Sequence, residues 1–125
     1  MIMSFFQVAL GGAIGAALRF GAGLAVVRFA HGPFPVAILM VNVVGSFLMG
    51  LFVVWSFQRG FEHWNLFVMT GILGGFTTFS AFSLETFTLI ERGAFGAAML
   101  YVAASVLASV GALIAGVMLA RTVLT

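Results

Sequence analysis

Four long apolar runs, at 5–27, 34–57, 66–90 and 95–120, constrain this chain more than anything else in it, because each is long enough to cross a bilayer. A helix needs about 20 apolar residues to span a hydrocarbon core about 30 Å thick. Only short connections separate the runs: Arg28-Phe29-Ala30-His31-Gly32-Pro33, then Gln58-Arg59-Gly60-Phe61-Glu62-His63, then Glu91-Arg92-Gly93. Each is rich in residues that end helices. The expected fold is therefore an all-α membrane protein, with four transmembrane helices in one domain over 1–125. The runs are solid blocks rather than period-two alternations, which excludes a porin-like barrel. The first run lacks a basic start, is too long for a signal-peptide core and carries Arg19, so it is not expected to be cleaved.

Composition agrees. Hydrophobic residues make up 63% of the chain and charged residues 6%, against about 25% charged in an average soluble domain, so a water-soluble globule is excluded. The calculated pI of 10.6 rests on a net charge of +2 with no basic cluster, and nucleic-acid binding is set aside. With no Cys, disulfides, thiolate metal sites and Cys nucleophiles are excluded together.

Four spans place both termini on one side, so positive charges near the span ends can be counted for orientation. Arg59 and Arg121 fall on the side of the termini, Arg28 and Arg92 on the other. Neither side has the excess that would fix an orientation, which predicts insertion both ways and an antiparallel, dual-topology homodimer. Small residues four apart (Gly11 and Gly15, Ser46 and Gly50, Gly111 and Ala115, Ala112 and Gly116) predict close helix packing.

Polar groups within a span are costly and mark candidate sites. The third span holds most of them, reading Gly74-Gly75-Phe76-Thr77-Thr78-Phe79-Ser80-Ala81-Phe82-Ser83-Leu84-Glu85-Thr86 at mid-membrane depth. Paired glycines cost helix propensity about 1 kcal/mol each, and β-branched Thr77 and Thr78 add to this. The sequence predicts a break near the middle of the third helix, where freed carbonyls can hold a cation; the bland reading of Gly74-Gly75 is a packing notch. Phe79 and Phe82 share a helical face near Ser83 and Thr86, and ring edges beside hydroxyl donors suit a small desolvated anion. In the fourth span Tyr101, Ser105 and Ser109 recur every fourth residue and stack three hydroxyls on one side. A lone Ser in such a helix commonly bonds back to its own backbone. Asn42, one turn before Ser46, is either a donor to a pathway or glue between helices. Arg19 is the one cation well inside a span and Glu85 the one anion; they could pair, or Arg19 could draw anions into a vestibule. His31 and His63 lie in connections and read as solvated. No nucleophile–base pair, phosphate loop or paired carboxylates occur, so the chain is not expected to be an enzyme.

The segment Gly74–Glu85 resembles the signature of the Fluc (CrcB) fluoride channels, GG-x-[ST]-T-F-S-x-F-S-x-E. The resemblance extends to Gly-Gly-x-x-Gly-x-x-x-Arg at 11–19, to Val41-Asn42 and to the Tyr101/Ser105/Ser109 track. It implies an antiparallel homodimer in the bacterial cytoplasmic (inner) membrane, with two pores passively exporting fluoride. Phe79 and Phe82 would be the rings whose edges meet fluoride, with Asn42 the pore amide below them. Tyr101, Ser105 and Ser109 would form the polar track, and Arg19 the vestibule arginine. Thr78, Ser80, Ser83, Thr86 and Glu85 would belong to the pore-lining helix. Backbone carbonyls of Gly74 and Thr77 from both subunits would hold a central sodium ion. Ala81 stands where many relatives carry Thr, one hydroxyl fewer.

Fluoride is strongly hydrated, so a narrow pore must replace its water with many donors. A buried sodium ion would offset part of that cost. The alternative is a small multidrug-type, proton-coupled exporter, also short and dual in topology. It requires a Glu in the first span, where this chain has Arg19. A passive bundle subunit of a larger complex would leave the hydroxyl track without a role.

Overall fold

The computed structural model describes residues 1–124, and every regular element among them is a helix. Helices α1 (Ile2–Val27) and α2 (Val36–Arg59) are each long and apolar enough to cross a membrane, as are the third span, Glu62–Glu91, and helix α5 (Phe95–Leu124). The connections end the helices as their residues dictate. Gly60 takes φ +74° at the end of α2, and Gly93 takes φ +79° between the third and fourth spans, both left-handed conformations that a side chain disfavours.

The third span is composite. A 3₁₀ turn (Glu62–Trp64) leads into a π-helical stretch (Leu66–Leu73) that tightens into one α-helical turn, α3 (Gly74–Phe76). The chain then straightens through Thr77 (φ −84°, ψ 160°) and Thr78 (φ −153°, ψ 120°) before α4 (Phe79–Glu91) begins. The expected break is present, and it falls on the threonine pair rather than on the glycines. Gly74 keeps helical dihedrals, and Gly75 is a packing notch: a Cβ there would lie 2.6 Å from the Gly12 carbonyl oxygen and 3.2 Å from the Ala16 nitrogen.

The break also divides the packing of the bundle. Before it, the π-helix and α3 lie along α1; after it, α4 leans on α5 and makes no contact with α1. Glycines set the first of these contacts. A Cβ on Gly11 would meet the Phe67 carbonyl and sit 2.9 Å from the Gly71 Cα, and one on Gly15 would meet the Ile72 carbonyl. Helices α2 and α5 interlock likewise: a Cβ on Gly50 would strike the Leu113 carbonyl, and one on Gly116 the Phe47 carbonyl. In lipid, where apolar surfaces gain little by leaving the solvent, such backbone approach supplies the dispersion contacts that hold helices together. Gly111 differs, with nothing within 4 Å of its would-be Cβ, so the Gly111 and Ala115 pair makes no close approach within the chain. A buried cluster of Phe82, Leu89, Ala98 and Tyr101, flanked by Phe34 and Ile38, fixes α4 against α5 and the start of α2.

Replacing Gly15 with Val forces α1 off the third span and is expected to cost about 1–3 kcal/mol of stability. Gly111→Ala is expected to be neutral or to stabilise by up to about 1 kcal/mol through helix propensity. Thermal unfolding in detergent distinguishes the two.

Candidate functional site

A break inside a membrane span frees backbone groups that lipid cannot satisfy. Here four side chains, from α1, α2 and the break itself, bond the backbone around it. Asn42 on α2 grips the backbone of Thr78 at both ends, its Oδ1 accepting from the Thr78 N–H at 2.8 Å and its Nδ2 donating to the Thr78 carbonyl at 3.1 Å. Arg19 on α1 donates from Nε to the Gly75 carbonyl at 3.1 Å. Thr78 caps α4 itself, its Oγ1 accepting from the Ala81 N–H at 3.1 Å, the usual arrangement for a Thr before the first helical residue. Thr77 closes α3, with both its N–H (3.0 Å) and its Oγ1 (2.9 Å) donating to the Leu73 carbonyl.

These bonds have a by-product. In an unbroken helix the Gly74 carbonyl would accept from the Thr78 N–H and the Thr77 carbonyl from the Ala81 N–H. Both donors are turned elsewhere, to Asn42 and to the Thr78 hydroxyl. The carbonyls of Gly74 and Thr77 are thus among the four, with those of Gly75 and Phe76, that the break deprives of their helical donors.

Beside the break lies a cavity of about 380 Å³ between α2, α4 and α5. It is lined by Asn42, Thr77, Thr78, Phe79, Phe82, Ser105 and Ser109 of the expected site, together with Gly45, Ser46, Met49, Val106, Val110 and Leu113. Gly45 matters for its missing side chain, since a Cβ there would collide with the Thr77 methyl and crowd the Phe76 ring at 3.2 Å. The Phe79 and Phe82 rings lie 5.3 Å apart. Phe82 is buried, whereas Phe79 is 78% exposed and projects from the chain. Phe82 also packs on Tyr101 at 5.2 Å, and the edge of Phe34 meets Tyr101 at 5.6 Å.

The hydroxyls of α4 and the track on α5 behave differently. Ser83 donates to the Phe79 carbonyl (3.0 Å) and Thr86 to the Phe82 carbonyl (2.8 Å), so both satisfy their own helix. Ser80 shares a 3.2 Å contact with the Thr78 hydroxyl. The hydroxyls of Tyr101, Ser105 and Ser109, in contrast, are buried and find no partner among the described residues. A buried hydroxyl left without a partner costs about 1–3 kcal/mol, so three along one helix present unfilled hydrogen-bonding capacity. Glu85 and Arg19 are not brought together: Glu85 is on α4, α1 does not touch α4, and the Arg19 guanidinium serves the Gly75 carbonyl. Neither lines the cavity, nor do Ser80, Ser83, Thr86 and Tyr101.

Sequence reasoning missed four features: the two-point grip of Asn42, the Arg19–Gly75 bond, the capping role of Thr78, and the space left by Gly45. Thr78, three residues ahead of the Ala81 it caps, carried a readable capping signal. The other three join residues far apart in the chain and had none. Asn42→Ala would leave the Thr78 N–H and carbonyl without their side-chain partner, at about 1–3 kcal/mol for each group. The expected result is faster hydrogen exchange at Thr78 and Phe79 with the rest of α2 and α4 unchanged.

The profile of the family described as "CrcB-like protein, Camphor Resistance (CrcB)" matches residues 6–117. The chain is 61% identical over 122 residues to a protein of Roseobacter denitrificans named "Fluoride-specific ion channel FluC", covering 96% of this chain and 97% of that one. Proteins of the same name from a Ruegeria species and from Caulobacter vibrioides are 57% identical over 127 residues (100% of both chains) and 46% identical over 119 residues (93% and 94%).

Proposed function

This chain belongs to the CrcB family, and we propose that it works as a fluoride-selective passive ion channel, exporting fluoride through two pores of an antiparallel homodimer in the bacterial cytoplasmic membrane. The observation that carries the reading is the cavity, which gathers Asn42, Phe79, Phe82, Ser105 and Ser109. Fluoride leaves water only where donors replace its hydration. The free hydroxyls of Ser105 and Ser109 point to such replacement, as does the second N–H of the Asn42 amide, whose first holds Thr78. The Phe79 and Phe82 rings add positive edges, and Met49, Val106, Val110 and Leu113 complete an apolar wall against bulk water. Tyr101, buried against Phe82, extends the donor line along α5. Thr78 lines the cavity, Glu85 and the hydroxyls of Ser80, Ser83 and Thr86 lie on the same broken span outside it, and Arg19 draws anions towards the break.

No ionisable side chain is among the residues lining the cavity, which favours passive conduction over the proton-coupled multidrug-type exporter. The first span, where such an exporter needs a carboxylate, offers Arg19 bonded to a backbone carbonyl. A second, antiparallel copy would cover the exposed Phe79 ring and close the cavity. The diverted carbonyls of Gly74 and Thr77 fit a sodium ion shared between the copies, which when bound would supply a fixed positive charge at the dimer centre. The ligands would be backbone atoms, next in the chain to Gly75 and Thr78, which Arg19 and Asn42 bond.

Purified protein in fluoride-loaded liposomes is expected to release fluoride rapidly and electrogenically without a proton gradient and to retain chloride; absence of fluoride current refutes the channel. Phe82→Ile and Asn42→Asp are each expected to slow the flux more than about tenfold, the equivalent of about 1.4 kcal/mol in barrier height, while the dimer persists on size exclusion. For the cation, exchanging sodium for N-methylglucamine is expected to lower the thermal midpoint of the dimer by several degrees, as loss of a bound ligand does. An unchanged midpoint would remove sodium from the proposal.

A further inference from the structure

One ring-rich feature lies outside the cavity. Where α2 ends and the third span begins, six rings form a continuous ladder: Phe52 to Trp55 at 5.4 Å, Trp55 stacked on Phe61 at 4.7 Å and 9°, Phe61 to His63 at 6.0 Å, His63 to Trp64 at 5.8 Å, and Trp64 to Phe67 at 6.1 Å. The left-handed turn at Gly60 reverses the chain so that Phe61, whose N–H donates to the Ser56 carbonyl at 2.7 Å, can lie flat on Trp55.

We propose that this ladder is a lipid anchor, seated in the boundary between the headgroups and acyl chains of the phospholipid leaflet on the side of the termini. Composition and place argue together. Both Trp residues of the chain are in the ladder, and they are 37% and 44% exposed, with Phe61 at 37%. Such open ring area is poorly suited to water, whereas indole N–H, the His63 ring and the adjoining Arg59 and Glu62 are poorly suited to the hydrocarbon centre. Amphipathic rings resolve that conflict at the interface, with the ring body among the upper methylenes and the N–H towards ester and headgroup oxygens. Stacking makes the platform stiff, since each ring's rotation is limited by the next.

The anchor bears on the break. From Trp64 to Thr77 the helical chain rises about 15–20 Å, at about 1.5 Å per residue or slightly less where it winds as a π-helix. A ladder held at the interface therefore places the Thr77–Thr78 opening near the centre of a core about 30 Å thick. The depth of the cavity's polar groups would be set from the membrane surface, through this span, without a charged residue in the lipid.

The test uses the protein's own fluorescence, which comes chiefly from these two indoles. Whole protein is reconstituted in phosphatidylcholine brominated near the ester groups, at mid-chain or near the terminal methyl, with each lipid in both leaflets so that either insertion direction is read alike. The expected result is strongest quenching by the shallow bromines, weakest by the terminal ones, and a blue-shifted emission maximum. Trp64→Phe and Trp55→Phe, each leaving one indole, are expected to show the same order. Strongest quenching by terminal bromines would overturn the proposal by placing the ladder in the bilayer centre. Weak quenching by all three lipids would overturn it too: with strong quenching by aqueous iodide the rings are in water, and with none they are covered by protein.

Discussion

Two hydrogen bonds between the Asn42 side chain and the backbone of Thr78 are the constraint on which the rest of this structure depends. A helix interrupted within a bilayer must find partners for the amides it releases, because lipid offers none. The carboxamide is the one side chain that mimics a peptide group, with donor and acceptor side by side, and it takes the place of the strand or helix neighbour that Thr78 lacks. Once this residue is held extended, α3 can end on α1, α4 can start on α5, and a space opens between them. The same contact ties α2 to the break, so the wall of the cavity and its opening are positioned by one side chain.

Glycine has the complementary part. At Gly11, Gly15, Gly71 and Gly75, backbones of α1 and the third span come close enough that a methyl group would not fit. Close approach also lets Arg19 bond the Gly75 carbonyl through Nε, short of the end of its side chain. Packing without side chains and bonding across helices are thus aspects of one arrangement, and the gap between α4 and α1 is its counterpart on the far side of the break.

Much of this was legible in the residues themselves. Helix number follows from run length, since about 20 apolar residues admit few alternatives in a membrane, and the connections carry their glycines where the chain must turn. The break was legible as an event because glycine and β-branched residues are adjacent. Its position was not, because propensity is a local quantity. Gly74 and Gly75 are the weaker helix formers, yet the helix opens at Thr77 and Thr78, where Asn42, 36 residues upstream, pays the backbone's debt. Spacing on α4 and α5 showed which hydroxyls share a face. It could not separate Ser83 and Thr86, which turn back to their own carbonyls, from Ser105 and Ser109, which do not, since that choice depends on the neighbouring helix. The proximity of Arg19 and Glu85 was open from sequence, and the parting of α4 from α1 answers it.

The opening at Thr77 and Thr78 also has an electrical consequence. An α-helix carries about half a positive charge at its start and half a negative charge at its end. Cutting the third span in two creates one of each in the interior: the carbonyl end of α3 and the amide end of α4, separated by the two extended residues. The negative pole lies at the carbonyl end of α3, and the positive pole at the start of α4, where Thr78 and Phe79 line the cavity. A chain with 6% charged residues can in this way set poles of opposite sign side by side within a span, using peptide dipoles that have no pKa and cannot be neutralised by a change of pH.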